Sequence, residues 1–204
     1  MINFLLKILA AFGLLLLIPV IVFSLLVVLI DDGFPLFFIQ DRLGFDKKVF
    51  KIYKIRTMYN NTPSIATHDV SDSHYLKTGH ILRKLKIDEL PQVINFIKGD
   101  INLIGPRPGL PNQNELTRCR NKNNIFEIVP GISGLAQVLG YDMSNPETLT
   151  EVDKLYIENK TLILNSIIFL ATFFRFPRNH LSSRFKIINF KDTNKDHSNA
   201  KKTI

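Results

Sequence analysis

Residues 8–30, ILAAFGLLLLIPVIVFSLLVVLI, contain no charged side chain. At about 1.5 Å per residue, a helix of this length reaches roughly 35 Å, enough to cross the hydrocarbon core of a bilayer. The run is longer than the apolar core of a signal peptide, and the Asp31-Asp32-Gly33 behind it does not resemble a small-residue cleavage site. Its length and uniformity also argue against a helix buried in a soluble domain. The chain is therefore expected to be tied to a membrane. Pro19 lies mid-run, where it removes a backbone hydrogen bond and crowds the preceding turn. Lys7 flanks the run on one side, and Lys47, Lys48, Lys51, Lys54 and Arg56 follow it on the other. One straight span cannot keep both flanks on the cytoplasmic side. A helix that breaks at Pro19 and returns keeps both there, whereas a kinked spanning helix tolerates the proline equally well. The residues alone leave both geometries open.

The remaining length of this 204-residue chain suffices for one domain with an ordinary core. Its net charge of +8 is unevenly spread: residues 177–204 hold seven basic side chains and two acids, a surplus of +5. Such a segment, without apolar periodicity, reads as a basic, disordered tail, and composition does not choose between anionic lipid and nucleic acid as its partner. The single cysteine, Cys119, excludes an internal disulfide framework and a multi-cysteine metal site.

Two β-rich runs, PLFFIQ and VFKIYKI, flank the Gly-containing DRLGFDKK and predict a hairpin. Residues 60–73 are polar and broken by Pro63, which predicts a mobile loop. A helix is expected from about His74 to Leu85, and another with Asp88 as its N-cap, Pro91 in its first turn and Gly99 at its end. GPRPG and PGISG read as rigid turns, and Ser144-Asn145-Pro146-Glu147 as a further helix start. In that last helix Asp153 falls on the same stripe as Leu149, Val152 and Tyr156, so it needs a partner or a task; a salt bridge or a tyrosine hydrogen bond is slightly favoured over direct substrate contact. Residues 162–176, LILNSIIFLATFFRF, are apolar but too short to span, which fits an interfacial helix or a core helix.

The chemistry concentrates around Asp88-Glu89. At a helix N-terminus, ionised carboxylates are favoured, and an ionised aspartate can attack phosphorus or ligate a divalent cation. Arg83 and Arg107 offer forked donors for phosphate oxygens, and Gly105, Gly109, Gly131 and Gly134 allow backbone to approach an anion. An isolated Asp-Glu pair is a weak signal, for it is more often only a helix cap. GxGxxG, GxxxxGK[ST] and HExxH are absent, and the five histidines show no ligand spacing.

In order along the chain, the apolar helix with its central proline, QDRLGFDKKVFKIYKIRTM, LRKLKIDELPQVINFIKGDINLIGPRPGLP, VPGISGLAQVLG and EVDKLYIEN resemble the bacterial sugar transferase family, the monotopic phosphoglycosyl transferases. The resemblance covers roughly residues 8–175. It implies a mainly α fold with a small β-hairpin: a re-entrant membrane helix at 1–32, a single compact catalytic domain at 33–176 with interfacial amphipathic helices, and the tail at 177–204. It implies an enzyme that moves a sugar 1-phosphate from a nucleotide sugar, of UDP-N-acetylhexosamine type, to undecaprenyl phosphate, releasing UMP. Asp88 matches the family's nucleophile, which forms a covalent phosphosugar intermediate, and Glu89 matches its partner in the dyad. Mg2+ is the implied cofactor, with Asp88 as its protein ligand. Arg83, Pro106, Arg107 and Pro108 match phosphate- and nucleotide-binding positions. Lys54, Arg56, Gly131 and Gln137 lie in the matching segments and complete that expected set, with Asp153 and Tyr156 as support. The implied location is the bacterial inner membrane, with the domain facing the cytoplasm among membrane lipids and with no nucleic-acid partner. Such a reaction would begin the membrane stage of surface polysaccharide or glycoconjugate synthesis.

The match has departures. Ile18 stands where the family usually has Ser before the helix proline, Lys7 is all that remains of a basic-plus-aspartate patch, Tyr141-Asp142 replaces an Arg or Asn-Arg, and Asn165 replaces an aspartate. Two other readings compete with the transferase: a non-catalytic basic membrane-anchored assembly subunit, and an ordinary glycosyltransferase that releases the nucleoside diphosphate.

Overall fold

A computed structural model describes residues 2–60, 62 and 74–185 of the chain. The apolar run forms two helices, α1 (Ile2–Leu16) and α2 (Ile18–Asp32), with Pro19 in the first turn of α2. A proline there needs no intrahelical donor, so the break falls where the ring is best tolerated. No single described helix is long and apolar enough to cross a membrane, but α1 and α2 together pass that test, bent by 54° at the break. The end of α2 is built into the domain. Val28 is fully buried beside Ile55, Leu76 and Leu82, while Phe23, Leu26 and Ile30 of the same helix stay exposed. Lys7 of α1 donates to the Ile97 carbonyl in the last turn of α4 (Gln92–Lys98), so α1 also touches the domain near its start.

The expected hairpin is present as β1 (Phe37–Leu43) and β2 (Val49–Ile55), antiparallel, with Phe38 opposite Lys54 and Arg42 opposite Phe50. After β2 the chain bridges from Met58 to Tyr75, and α3 (Gly79–Lys84) follows. That helix begins later than the periodicity suggests, because the backbone around His74 and Leu76 is committed to hydrogen bonds with Tyr59 and Thr57. Asp31, at the end of α2, accepts from the Thr78 amide and hydroxyl at 3.3 Å, which ties the start of α3 to α2.

Asp88 is not the N-cap of a long helix. Lys86 adopts a left-handed conformation (φ 60°), and the redirected chain forms a single 3-10 turn, Ile87–Glu89, with α4 starting only at Gln92. Gly99 does close α4 in the left-handed region, as a C-terminal glycine should. Two three-residue strands, β3 (Asn102–Ile104) and β4 (Gly131–Ser133), then pair in parallel, so PGISG supplies a strand as well as a turn.

Helices α5 (Asn114–Lys122), α6 (Leu135–Leu139), α7 (Pro146–Glu158), α8 (Leu162–Phe173) and α9 (Arg175–Arg184) complete the fold. Asn145 caps α7 by accepting from the Thr148 amide, with Pro146 at its first position as the sequence indicates. The main core lies where α6, α7, α8 and α9 meet over β3, around Leu135, Val152, Tyr156, Ile168 and Leu181. Helix α9 crosses the division expected between residues 176 and 177, and Leu181 is fully buried, so the fold includes this helix. The rest of the expected tail, 186–204, and nearly all of the expected loop at 60–73 lie outside the described residues. Helix α8 buries Leu164, Ile168 and Ala171 but exposes Leu162, Ile163, Phe169, Leu170 and Phe173, so it combines the core and surface roles that the sequence left open.

Candidate active site

The 3-10 turn places Asp88 and Glu89 side by side at the foot of the hairpin. Their frame is fixed by Asn95, one turn into α4 and fully buried, which donates to the Lys51 carbonyl (2.7 Å) and accepts from the Tyr53 amide (3.3 Å). Helix α4 is thereby stitched to β2. The same register brings Lys54 to the dyad, where its ammonium lies 2.7 Å from Glu89 Oε1. Arg107 Nη2 approaches the same oxygen at 3.6 Å, and Lys86 approaches Oε2 at 4.0 Å.

The two carboxylates are thus electrostatically unlike. Burial pulls Glu89 upwards, but Lys54, Arg107 and Lys86 together outweigh it and hold the carboxyl far below the usual range. For Asp88 burial wins: its carboxyl is raised above an ordinary aspartate, with Lys54 opposing and the Glu89 charge adding to the rise. Asp88 Oδ1 is buried and has no hydrogen-bond partner. An unpaired buried carboxylate oxygen is expensive, and its place in a cavity is that of a group awaiting a ligand. Lys54 itself is pulled down to about 8, mainly by burial, with Glu89 resisting.

Asp88 opens into two cavities of about 410 and 440 Å3, which share Arg42, Lys54, Arg83, Asp88 and Arg107. Arg83 is aimed by donating to Thr57 Oγ1 (2.8 Å) and the Tyr75 hydroxyl (3.0 Å), with its guanidinium over the Tyr75 ring. Arg42, which the sequence reading passed over, donates to the Pro108 carbonyl (3.1 Å) and to Gln40 Oε1 (2.6 Å). Burial and Arg107 lower its guanidinium to about 9, so it stays charged at neutral pH. Arg42 and Arg83 therefore hydrogen-bond neutral acceptors and bring positive charge that no hydrogen-bonded carboxylate neutralises. A polyphosphate is the natural complement.

The Pro-Arg-Pro turn is held from behind. Arg120 on α5 donates to the Arg107 carbonyl (2.7 Å) and, through its other terminal nitrogen, to Asp153 Oδ2 (2.6 Å). This ion pair is almost wholly buried, each side chain being 3% exposed. Asp153 thus has the partner its stripe position demanded and lies outside the cavities. Tyr156 likewise supports rather than lines them. Its hydroxyl donates to the Ile104 carbonyl and meets Asn165 Oδ1, and burial pushes it up to about 12.

Two expected phosphate binders are otherwise engaged. Arg56 is spent on the end of α2: it pairs with Asp32 and donates to the Gly33 carbonyl (2.7 Å), with only an edge on the first cavity. Gly131 makes no anion cradle, since its amide donates to the Pro106 carbonyl and an added Cβ would stand 2.1 Å from the Gly105 nitrogen. That glycine lets β4 pack directly against the backbone of Ile104 and Gly105, just ahead of the Pro-Arg-Pro turn. Pro106 and Pro108 act through their carbonyls, on Gly131 and Arg42. Gln137 lines the second cavity and leaves Oε1 buried and unpartnered.

Among the described residues no three His, Cys, Asp or Glu side chains cluster to hold a metal. Asp88 Oδ1 is nevertheless an open acceptor. Asp88 would be the protein residue that holds a magnesium ion here, and such an ion would offset phosphate charge.

The model of the bacterial sugar transferase family matches residues 2–179. The chain belongs to that family, and with it to the transferases. It is 38% identical over 153 residues to the uncharacterized sugar transferase EpsL of Bacillus subtilis (strain 168), covering 75% of each chain. It is 34% identical over 164 residues to the UDP-N-acetylgalactosamine-undecaprenyl-phosphate N-acetylgalactosaminephosphotransferase of Aeromonas hydrophila, covering 76% of this chain and 38% of the relative. It is 33% identical over 176 residues to the UDP-glucose:undecaprenyl-phosphate glucose-1-phosphate transferase of Escherichia coli (strain K12), covering 81% of this chain and again 38% of the relative.

Proposed function

We propose that this chain is a phosphoglycosyl transferase that moves a sugar 1-phosphate from a UDP-sugar to undecaprenyl phosphate, yielding the undecaprenyl-diphosphate sugar and UMP. The names of the relatives support the substrate classes. The observation that carries the reading is the buried, unpartnered Asp88 oxygen facing a cavity ringed by guanidinium groups. Asp88 attacks the sugar-bearing phosphorus, the bond from that phosphorus to the UMP oxygen breaks, and an aspartyl phosphosugar is left. A phosphate oxygen of the lipid then attacks the same phosphorus and expels the Asp88 carboxylate. Glu89, fixed as an anion by Lys54 and Arg107, keeps those cations in place beside the reacting phosphorus. Magnesium shared between Asp88 and the substrate would supply further neutralisation of the phosphate charge.

The membrane geometry that goes with this reaction is a re-entrant hairpin, with the domain on the cytoplasmic face of the inner membrane. The break at Pro19 supports it, as do the contacts that both arms make with the domain, Lys7 with Ile97 and Val28 with the core. Product identity tests the reaction. With donor and lipid phosphate together the protein should release UMP; release of UDP would identify an ordinary glycosyltransferase, and release of neither an assembly subunit. Asp88→Asn should keep the fold and lose turnover. A panel of UDP-sugars tests the donor, for which a UDP-N-acetylhexosamine is our expectation.

A further inference from the structure

The two cavities at Asp88 differ in character away from the cations they share. The second continues to a polar wall that includes Gln113, Gln137 and Asp142, suited to sugar hydroxyls. The first runs along β1 to Phe37, Phe38 and Ile39, all at least two-fifths exposed, and reaches Pro35, three residues beyond the end of α2. Along one face of β1, Phe38, Gln40 and Arg42 alternate, and Lys54 stands directly across from Phe38. Toward α2 the path is lined by Pro35, Phe37, Phe38 and Ile39, with Arg56, Asn60 and Thr62 on its other wall, and at Asp88 it is cationic. A third, apolar cleft of about 200 Å3 beside Phe169 and Phe173 touches Glu89 and does not reach Asp88.

On the two-step reading above, the incoming lipid phosphate must approach the phosphorus from the side that UMP has left, roughly in line with the Asp88 oxygen. It needs the same cations, and its chain must then leave toward apolar surroundings. We propose that the first cavity is the acceptor site: the lipid phosphate lies at Arg42 and Arg83, and the first isoprene units run outward over Phe38 toward Pro35 and the membrane surface beside α2. The inference rests on the proposed reaction, and charge and polarity both favour this occupant. An anionic head meets two guanidiniums whose hydrogen bonds go to neutral acceptors and which Glu89 and Asp88 reach only through space, and a branched hydrocarbon meets exposed aromatic and aliphatic side chains.

Phe38→Ala removes part of that wall without adding charge opposite Lys54. It should raise KM for undecaprenyl phosphate about tenfold, whereas labelling of the protein by labelled donor alone should change by less than about twofold. Phe38→Leu should restore most of the loss. A polyisoprenyl phosphate carrying a diazirine in its first isoprene unit should label residues 35–42. An unchanged acceptor KM in Phe38→Ala, or photolabel confined to α8 around Phe169 and Phe173, would overturn the assignment. Failure of the proposed reaction itself would look different, since the unaltered protein would then take no label from the donor.

Discussion

Glu89 and Asp88 are neighbours whose environments push them apart, and the difference should be visible in pH dependence. Asp88 must be ionised to attack, so activity should fall as pH drops through its raised pKa, with an acid limb above the 3.8 of an ordinary aspartate. Lys54 must be protonated to hold Glu89, and it loses its charge as pH rises through about 8. The pH profile of kcat/KM should therefore be bell-shaped with an alkaline limb near 8. In Lys54→Arg the guanidinium keeps its charge, and the alkaline limb should move upward out of the range. An alkaline limb that stays in place in this variant would remove Lys54 from the account. The buried pair behind the site gives a second test. Asp153→Ala strands the Arg120 charge, which should cost about 3–5 kcal/mol of stability, read as a lowered midpoint in denaturant unfolding. The proximity of Asp88, Glu89, Arg83 and Arg107 was legible because these charged residues lie along one stretch of chain, but the roles expected of them came from the family resemblance and not from the cluster itself. Arg42 and Arg120 were not, because their meaning depends on contacts with the Pro108 and Arg107 carbonyls, 66 and 13 residues away.

Among the elements, the hairpin, the capped start of α7 and the proline break could be read from local rules of alternation, capping and ring geometry. The start of α3 and the parallel pair β3–β4 could not. Three-residue strands carry too little periodicity to announce themselves, and the onset of α3 is set by backbone pairing with Thr57 and Tyr59. Gly131 illustrates the same limit: sequence marks a place for close approach, but only the fold reveals that the approaching group is Gly105 and not an anion. Asn95 binds two elements into one site, and its loss should be felt there. Asn95→Leu leaves the Tyr53 amide without its side-chain acceptor and loosens α4 from β2. Turnover should fall at least tenfold, together with about 1–3 kcal/mol of stability. A variant with native kinetics would show that this stitching does not position Lys54.

At the scale of the whole molecule, an uncharged 23-residue run and the charged turn at Ile87–Glu89 are brought together by a few polar links. Asp31 and Asp32, which follow the run, tie it to Thr78 and to Arg56, and Lys7 ties its other arm to α4. A hairpin held at both ends by one domain should keep both termini on one side of the membrane. Tags at residue 1 and residue 204 should both be protected in right-side-out vesicles and both be accessible in inverted ones; opposite accessibility would establish a spanning helix. The proposed reaction converges on the buried, unpartnered Oδ1 of Asp88. The most direct measurement is to mix the protein with a sugar-labelled UDP donor in the absence of lipid, quench, and map the modified peptide by mass spectrometry. The account predicts one sugar phosphate on Asp88, released by hydroxylamine and by added undecaprenyl phosphate, and absent from Asp88→Asn. An unmodified protein that still turns over when lipid is present, or an adduct on Glu89, would contradict it.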